Sequence, residues 1–296
     1  MPIPEPQLDT WSRQGAVVTS ASTYDAIRRA LTAPDAPFKE REFEIFLQGS
    51  YGNDTNIYAD SDVDIVIRLT STYYEDVDGL SAADRVLHDG DWSAATYQFE
   101  DFKREVAAWL TRNFGGGVDA SGKAIRVPAG QGRRDADVLA CAEFRNYHSY
   151  AYRFSVDYDV GLCFWTPQGA RIENYPKQHM AACTGKHQRT NGWFKPVVRI
   201  FKNLRNAMIQ QGVIPAGLAP SYFIEGMLSN VPDGRFGTSY QDSVSAAVNW
   251  LRATDPTTLT CANGLHWLLR DGPPVCWRRA SFDAFLAAVI QYWNEA

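Results

Sequence analysis

Apolar positions along this chain change their spacing from strand-like to helix-like, and that change organises the reading. Phe43 to Leu47 is a short, β-prone apolar run, the pattern of a buried strand. The chain then turns at Gly49-Ser50, crosses a loop rich in Asn, Asp and Gly, and resumes as a second strand, Val63 to Leu69. Ahead of this unit, residues 1–20 read as a polar lead-in. Ser20 or Ser22 is placed to cap a helix over Thr23 to Leu31, with Tyr24, Ile27 and Leu31 on one face, closed by Pro34 and Pro37.

Residues 70–95 are polar with scattered acids and read as a surface excursion. Glu100 to Phe114 has the 3.6 spacing of a helix through Phe102, Val106, Trp109 and Leu110, stopped at Gly115-Gly116-Gly117. Lys123 to Val127 reads as a short strand, Gly130 to Arg134 as a turn and Asp135 to Phe144 as a buried strand. Tyr150 to Trp165 reads as further strand with a hairpin around Asp157-Tyr158-Asp159. From Asn174 helical spacing prevails, through Trp193 to Gln211, Ser221 to Asn230, Ser239 to Thr254 and Ser281 to Ala296. The expected fold class is therefore α/β (α+β): a mixed-sheet core with an N-terminal helix over 1–172, then a helical lobe over 173–296. Neither an internal repeat nor a low-complexity tract is present.

Composition narrows the function classes. At 45% apolar and 21% charged residues, with no apolar run of membrane-spanning length, the chain reads as a soluble globular protein. The N-terminal MPIPEPQLDT lacks the basic and apolar regions of a signal peptide. A formal charge of -5 disfavours a broad surface for long nucleic acid. Five cysteines (141, 163, 183, 261 and 276) are spread without a CxxC pair, which suits a reducing compartment, so a cytoplasmic location is expected.

The chemistry concentrates beside the first two strands. Asp62 and Asp64 are two apart at a strand start, so both carboxylates leave one face of the sheet. Side by side they repel unless a cation lies between them, and hard oxygen ligands suit Mg²⁺. Gly49 allows close approach of the backbone to a ligand, and the Ser50 hydroxyl and nearby amides are suited to phosphate oxygens. A two-metal phosphoryl-transfer site uses a third carboxylate. Asp137 is the choice, and Asp135, of the same strand parity, is its competitor. His179, Cys183 and His187 have a metal-ligand spacing of four and four, but Gly185 interrupts the helix and no fourth ligand is apparent, so no metal is expected there. By spacing alone Lys202, with Arg199 and Arg205, reads as well for a basic helix face as for a functional cation, and Tyr222 as well for core packing as for a functional ring.

Gly49-Ser50, eleven residues, then Asp62-Val63-Asp64 resembles the signature of the polymerase-β-like nucleotidyltransferases. The longer QGSYGNDTNIYADSDVDIVI is similar to the bacterial cGAS/DncV-like nucleotidyltransferases (CD-NTases) of CBASS antiphage systems. The likeness extends through Asn174 to His179, Lys186, Thr190, Val198 to Arg205 and Pro220 to Glu225. It implies a two-lobed enzyme with its active site in the cleft between the sheet core and the helical lobe. It implies that Asp62, Asp64 and Asp137 hold two Mg²⁺ ions, for which Mn²⁺ can substitute. Gly49 and Ser50 would grip the triphosphate, Lys202 and Ser221 would contact donor phosphates, and Tyr222 would stack on the donor base. One departure stands out: the family often has proline after the third Asp, whereas here Val138-Leu139-Ala140-Cys141 follows Asp137.

The activity so implied joins ribonucleoside triphosphates, ATP among them, into a cyclic di- or trinucleotide second messenger with release of pyrophosphate. A separate effector protein would read the product. Some members of the family await regulatory partner proteins, and others are conjugated through the C-terminus, with which the small Ala296 is compatible. Two other readings remain: a nucleotidyltransferase acting on RNA or a small-molecule acceptor, and a catalytically silent nucleotide-binding protein of the same fold.

Overall fold

The computed structural model describes residues 3–15, 17–58, 62–91, 94–130, 132–152, 155–273 and 275–295. The chain runs α1 (Glu5–Ser12), α2 (Val18–Leu31), β1 (Phe43–Leu47), α3 (Gly49–Gly52), β2 (Val63–Asp76), α4 (Ala82–Asp91), α5 (Phe99–Phe114) and β3 (Ile125–Val127). It continues through β4 (Ala136–Tyr152), β5 (Ser155–Trp165), β6 (Arg171–Asn174), α6 (Pro176–Arg189), α7 (Phe194–Gln210), α8 (Ser221–Asn230), α9 (Tyr240–Ala253) and α10 (Arg279–Glu295). No helix of the described residues is long and apolar enough to cross a membrane. Ala296 lies outside the described residues.

The chain forms two compact units. One comprises Val18–Leu47 and Ser61–Tyr175 and carries the sheet; the other comprises Met1–Val17, Gln48–Asp60 and Pro176–Ala296 and is helical. A single cut near residue 172 does not describe this division, because two early segments cluster with the late helices.

In the sheet unit the strand order is β1-β2-β4-β5-β6, with β3 also on β4. Among the described residues of this sheet, β2 and β4 pair in parallel and the other pairs are antiparallel. Ile65, Val66, Ile67, Val138, Leu139 and Ala140 are all buried on these two central strands, the near-continuous apolar run that a strand covered on both faces requires. Helix α5 packs on β2, β3 and β4 and is pinned to α2 by the Trp109 indole, which donates to the Ala30 carbonyl at 2.8 Å. The expected helix over Glu100 to Phe114 is thus found one residue longer, and Gly115, at φ +91°, closes it.

Four local expectations change. Residues 1–20 include α1, and α2 starts at Val18, so Ser20 and Ser22 lie inside the helix rather than capping it. Ser22 instead back-bonds to the Thr19 carbonyl. Residues 70–95 are not a loose excursion: β2 runs on to Asp76, paired with Glu143 to Asn146 past a bulge, and α4 follows. Asp157 to Asp159 do not turn but lie within β5, where Asp159 pairs with Asn146 and holds His148 at 2.8 Å. Tyr152 pairs with Ser155 at the end of the β4–β5 ladder. Gly185 does not break α6, which runs through to Arg189.

In the helical unit α7 is central. Phe194, Val197, Val198, Ile200, Phe201 and Leu204 are fully buried, and the helix touches α1, α6, α8, α9 and α10. Spacing located these helices closely because one apolar stripe must face that core. The Ser239 hydroxyl caps α9 by accepting from the Asp242 amide at 3.0 Å.

Candidate active site

In the parallel pair, Val63 of β2 lies opposite Ala136 of β4, and Asp64 lies opposite Asp137. Val63 and Ala136 are fully buried. Alternation then sends their neighbours to the other face, where Asp64 and Asp137 are half-buried and Asp62, of the same parity, is exposed. Burial raises the Asp137 carboxyl above its ordinary range, and the charge of Asp62 raises it further, against the opposing pull of Lys123 and Arg126. The two acids therefore interact across the strand pair. Asp135 shares the parity but is engaged elsewhere: its carboxylate accepts from Arg126 Nη2 and from the Ala129 amide, both at 3.2 Å. Asp64 and Asp137 thus stand in register across the strand pair, and the charge of Asp62 reaches Asp137. A carboxyl raised chiefly by burial and further by the charge of Asp62 suits a hard divalent cation, which would favour its charged form.

Gly49 and Ser50 belong to the helical unit. Gly49 is left-handed at φ +63°, a conformation glycine enters at little cost. It is exposed and Ser50 half-buried, and their carbonyls accept from the Asn53 and Thr55 amides at 3.0 and 2.9 Å. The following segment is gripped on several sides. Asp54 receives Lys195 Nζ at 2.9 Å on its carboxylate and Arg199 on its carbonyl. Asn53 Nδ2 and Thr55 Oγ1 both donate to the buried Glu225 carboxylate, the former at 2.8 Å. Gln14 Nε2 donates to Asn56 Oδ1 at 2.7 Å. A Cβ added to Gly15 would sit 2.4 Å from the Ile57 carbonyl oxygen, so glycine is required for that approach.

Lys202 is fully buried, and its ammonium donates to the Thr55 carbonyl at 2.9 Å. This geometry gives it a hold on the loop rather than an open face for phosphate. Ser221 opens α8 directly after Pro220, half-buried, and its hydroxyl accepts from Arg205 Nη1 at 3.2 Å. Arg205, read from spacing as part of a basic face, is thus a guanidinium beside Ser221. Tyr222 stacks on His179, with ring centroids 4.6 Å apart and planes 26° apart. Burial pushes its phenol well up.

The His179–Cys183–His187 series is not the group that forms. His187 turns away, its Nδ1 accepting from the Lys195 amide, and burial lowers its basicity. Glu225 takes its place: His179 Nε2 is 2.6 Å from Glu225 Oε2, and Cys183 Sγ is 3.6 Å from the same nitrogen. By ligand type this trio suits a metal. Both Glu225 oxygens, however, already accept from Asn53, Thr55 and His179. Sequence reasoning gave Glu225 no role. The available signal was an acid on an otherwise apolar helix, which must find partners inside.

A mixed sheet presenting adjacent carboxylates on parallel strands, joined to a helical unit, is the build of a polymerase-β-like nucleotidyltransferase. Residues 181–294 match the family model of the cGAS/DncV-like nucleotidyltransferase C-terminal helical domain. The chain is 37% identical to a cyclic UMP-AMP synthase of Rhodothermus marinus, over 99% of each chain. It is 35% identical to the cyclic nucleotide synthase CdnE01 of Staphylococcus haemolyticus, over 100% of each. The solved structure of the Rhodothermus marinus CdnE c-UMP-AMP synthase with Apcpp and Upnpp superposes with a TM-score of 0.89 at 36% identity, over 99% of this chain and 97% of that one. The chain belongs to the cGAS/DncV-like nucleotidyltransferases.

Proposed function

We propose that this protein is a cytoplasmic cyclic oligonucleotide synthase of antiphage defence. It joins ribonucleoside triphosphates, ATP among them, into a cyclic di- or trinucleotide that a separate effector protein reads. The observation that carries the reading is the pairing of Asp64 with Asp137, with the Asp62 charge felt at Asp137. It occurs in a chain whose full-length relatives are cyclic nucleotide synthases.

Asp62, Asp64 and Asp137 would hold two Mg²⁺ ions, or Mn²⁺ in their place, which when bound neutralise triphosphate charge and acidify the attacking hydroxyl. Gly49 and Ser50 grip the triphosphate, the glycine by close backbone approach and the serine by its hydroxyl. Ser221, with the Arg205 guanidinium at its side, contacts donor phosphates at the start of α8. Tyr222 offers a ring to the donor base, a contact worth roughly 1–3 kcal/mol. Lys202 acts by fixing Thr55. Asp137 orients the ribose hydroxyl of the acceptor nucleotide for in-line attack on the donor α-phosphorus, and pyrophosphate leaves. The linear product re-docks with its own triphosphate in the donor position, and a second transfer closes the ring. Positioning and charge neutralisation supply most of the acceleration.

The test is incubation of the purified protein with all four ribonucleoside triphosphates and Mg²⁺ or Mn²⁺, then phosphatase treatment and mass spectrometry. A phosphatase-resistant cyclic di- or trinucleotide is expected. Pyrophosphate release that appears only with an added RNA or aminoglycoside acceptor would overturn the reading.

A further inference from the structure

Glu225 is 2% exposed, and its carboxylate gathers three donors from two directions. Asn53 Nδ2, at 2.8 Å, and Thr55 Oγ1 come from the loop after Gly49-Ser50. His179 Nε2, at 2.6 Å, comes from α6. Since a carboxylate only accepts, the His179 proton sits on Nε2, and its buried Nδ1 has no hydrogen-bond partner. The same imidazole ring lies flat under Tyr222 at 4.6 Å. One buried acid thus reaches both the Gly-Ser loop and the Tyr222 ring.

We propose that Glu225 is a positioning residue. Its carboxylate fixes the loop that presents Gly49 and Ser50 and, through His179, fixes the plane of the Tyr222 ring, so that one group registers triphosphate grip and base platform together. The inference rests on the assignment of those two elements to triphosphate and base. An unpaired buried donor is costly, so loss of the acceptor frees the loop rather than leaving Asn53 and Thr55 in place. Glutamine at this position preserves the arrangement. Its oxygen accepts from Asn53 and His179, and its amide donates to Thr55, whose hydroxyl turns to accept. Methionine, of similar length, has no comparable acceptor.

The experiment measures affinity for ATP and for inorganic tripolyphosphate, both with Mg²⁺, by calorimetry on folded protein checked by thermal unfolding. Tripolyphosphate reports on the loop alone, and the ratio of the two affinities reports on the base platform. Glu225→Met is expected to weaken tripolyphosphate by about tenfold and ATP by about fivefold more than that, and Glu225→Gln to stay within about threefold of wild type for both. His179→Gln keeps a donor to Glu225 but removes the ring. It is expected to weaken ATP by about fivefold while leaving tripolyphosphate unchanged. A merely structural role would lower the folded fraction without moving that ratio. Folded Glu225→Met with wild-type affinity for both ligands overturns the inference, as does a His179→Gln ratio equal to that of wild type. Should Glu225→Met not fold, Asn53→Ala with Thr55→Val removes the loop side of the contact. A tenfold loss of tripolyphosphate affinity there supports the inference, and no loss overturns it. Wild-type protein that binds both ligands yet forms no cyclic product counts against the synthase reading alone; one that binds neither overturns both.

Discussion

Asp64 and Asp137 face each other across two parallel strands, each flanked by a buried neighbour, Val63 and Ala136, that keeps the carboxylate on the outer face. The pairing brings residues more than seventy positions apart into one register. It makes the acids a property of the sheet rather than of a loop, and rigid elements hold reacting groups more closely than loops do.

Removing the charge from Asp62 and Asp64 is expected to end catalysis without unfolding the protein. The double substitution of Asp62→Asn and Asp64→Asn is expected to cut pyrophosphate release by a thousandfold or more, roughly what loss of several kcal/mol of charge stabilisation gives. Circular dichroism should be unchanged. Near-normal turnover in the double variant would sink the mechanism.

The raised Asp137 carboxyl sets a direction for pH dependence. A carboxyl raised on folding binds more protons in the native state, so this group's contribution to stability is lost as pH rises from the unfolded value through the folded one. At neutral pH the metal-free protein therefore carries a penalty that Asp137→Asn removes. The variant is expected to melt higher by about 2 °C in chelator, a modest gain because the group is half-exposed. Mg²⁺ should raise the melting temperature of wild type but not of the variant. A variant that melts lower than wild type in chelator would contradict this.

Gly49 occupies a left-handed conformation at φ +63°. Gly49→Ala is expected to cost about 1 kcal/mol, a fall of a few degrees in Tm, with Gly49→Asn losing less because asparagine enters this region more readily. The KM for triphosphate should rise in the same order. Equal KM values in all three proteins would separate the glycine from phosphate binding.

Lys202 is placed to hold Thr55. Lys202→Met keeps the aliphatic stem and strands a buried carbonyl, so stability should fall by about 1–3 kcal/mol, read as denaturant midpoint. If the ammonium instead met phosphate, the variant would keep its midpoint and lose only nucleotide affinity.

Gly15 meets the Ile57 carbonyl so closely that Gly15→Ala must displace the 57–58 backbone. A loss of about 1–3 kcal/mol is expected, together with weaker tripolyphosphate binding. Full stability of this variant would show that the loop can shift without cost.

Periodicity by itself determined most of the architecture. The strand Phe43–Leu47 and the helices α5, α7, α8, α9 and α10 were legible because each presents an apolar pattern to a core, and that pattern is local. The acids Asp62, Asp64 and Asp137, with Gly49 and Ser50, were chosen on a related ground: residue type and parity decide what leaves a strand face. What spacing did not carry were the partners of side chains, since these depend on which segments meet in three dimensions. Strand pairing made residues 70–76 part of β2, although they look like polar loop. Parity leaves Asp135 and Asp137 equivalent, and only the fold gives Asp135 its hydrogen bonds from Arg126 and the Ala129 amide. Only the tertiary structure turned Lys202 inward onto Thr55, set Arg205 beside Ser221, and made Glu225 the acceptor of three donors drawn from 46 to 172 positions away. The physical reason is common to all three: a polar group buried away from water must find its partner wherever the fold supplies one, and no local pattern encodes that distance.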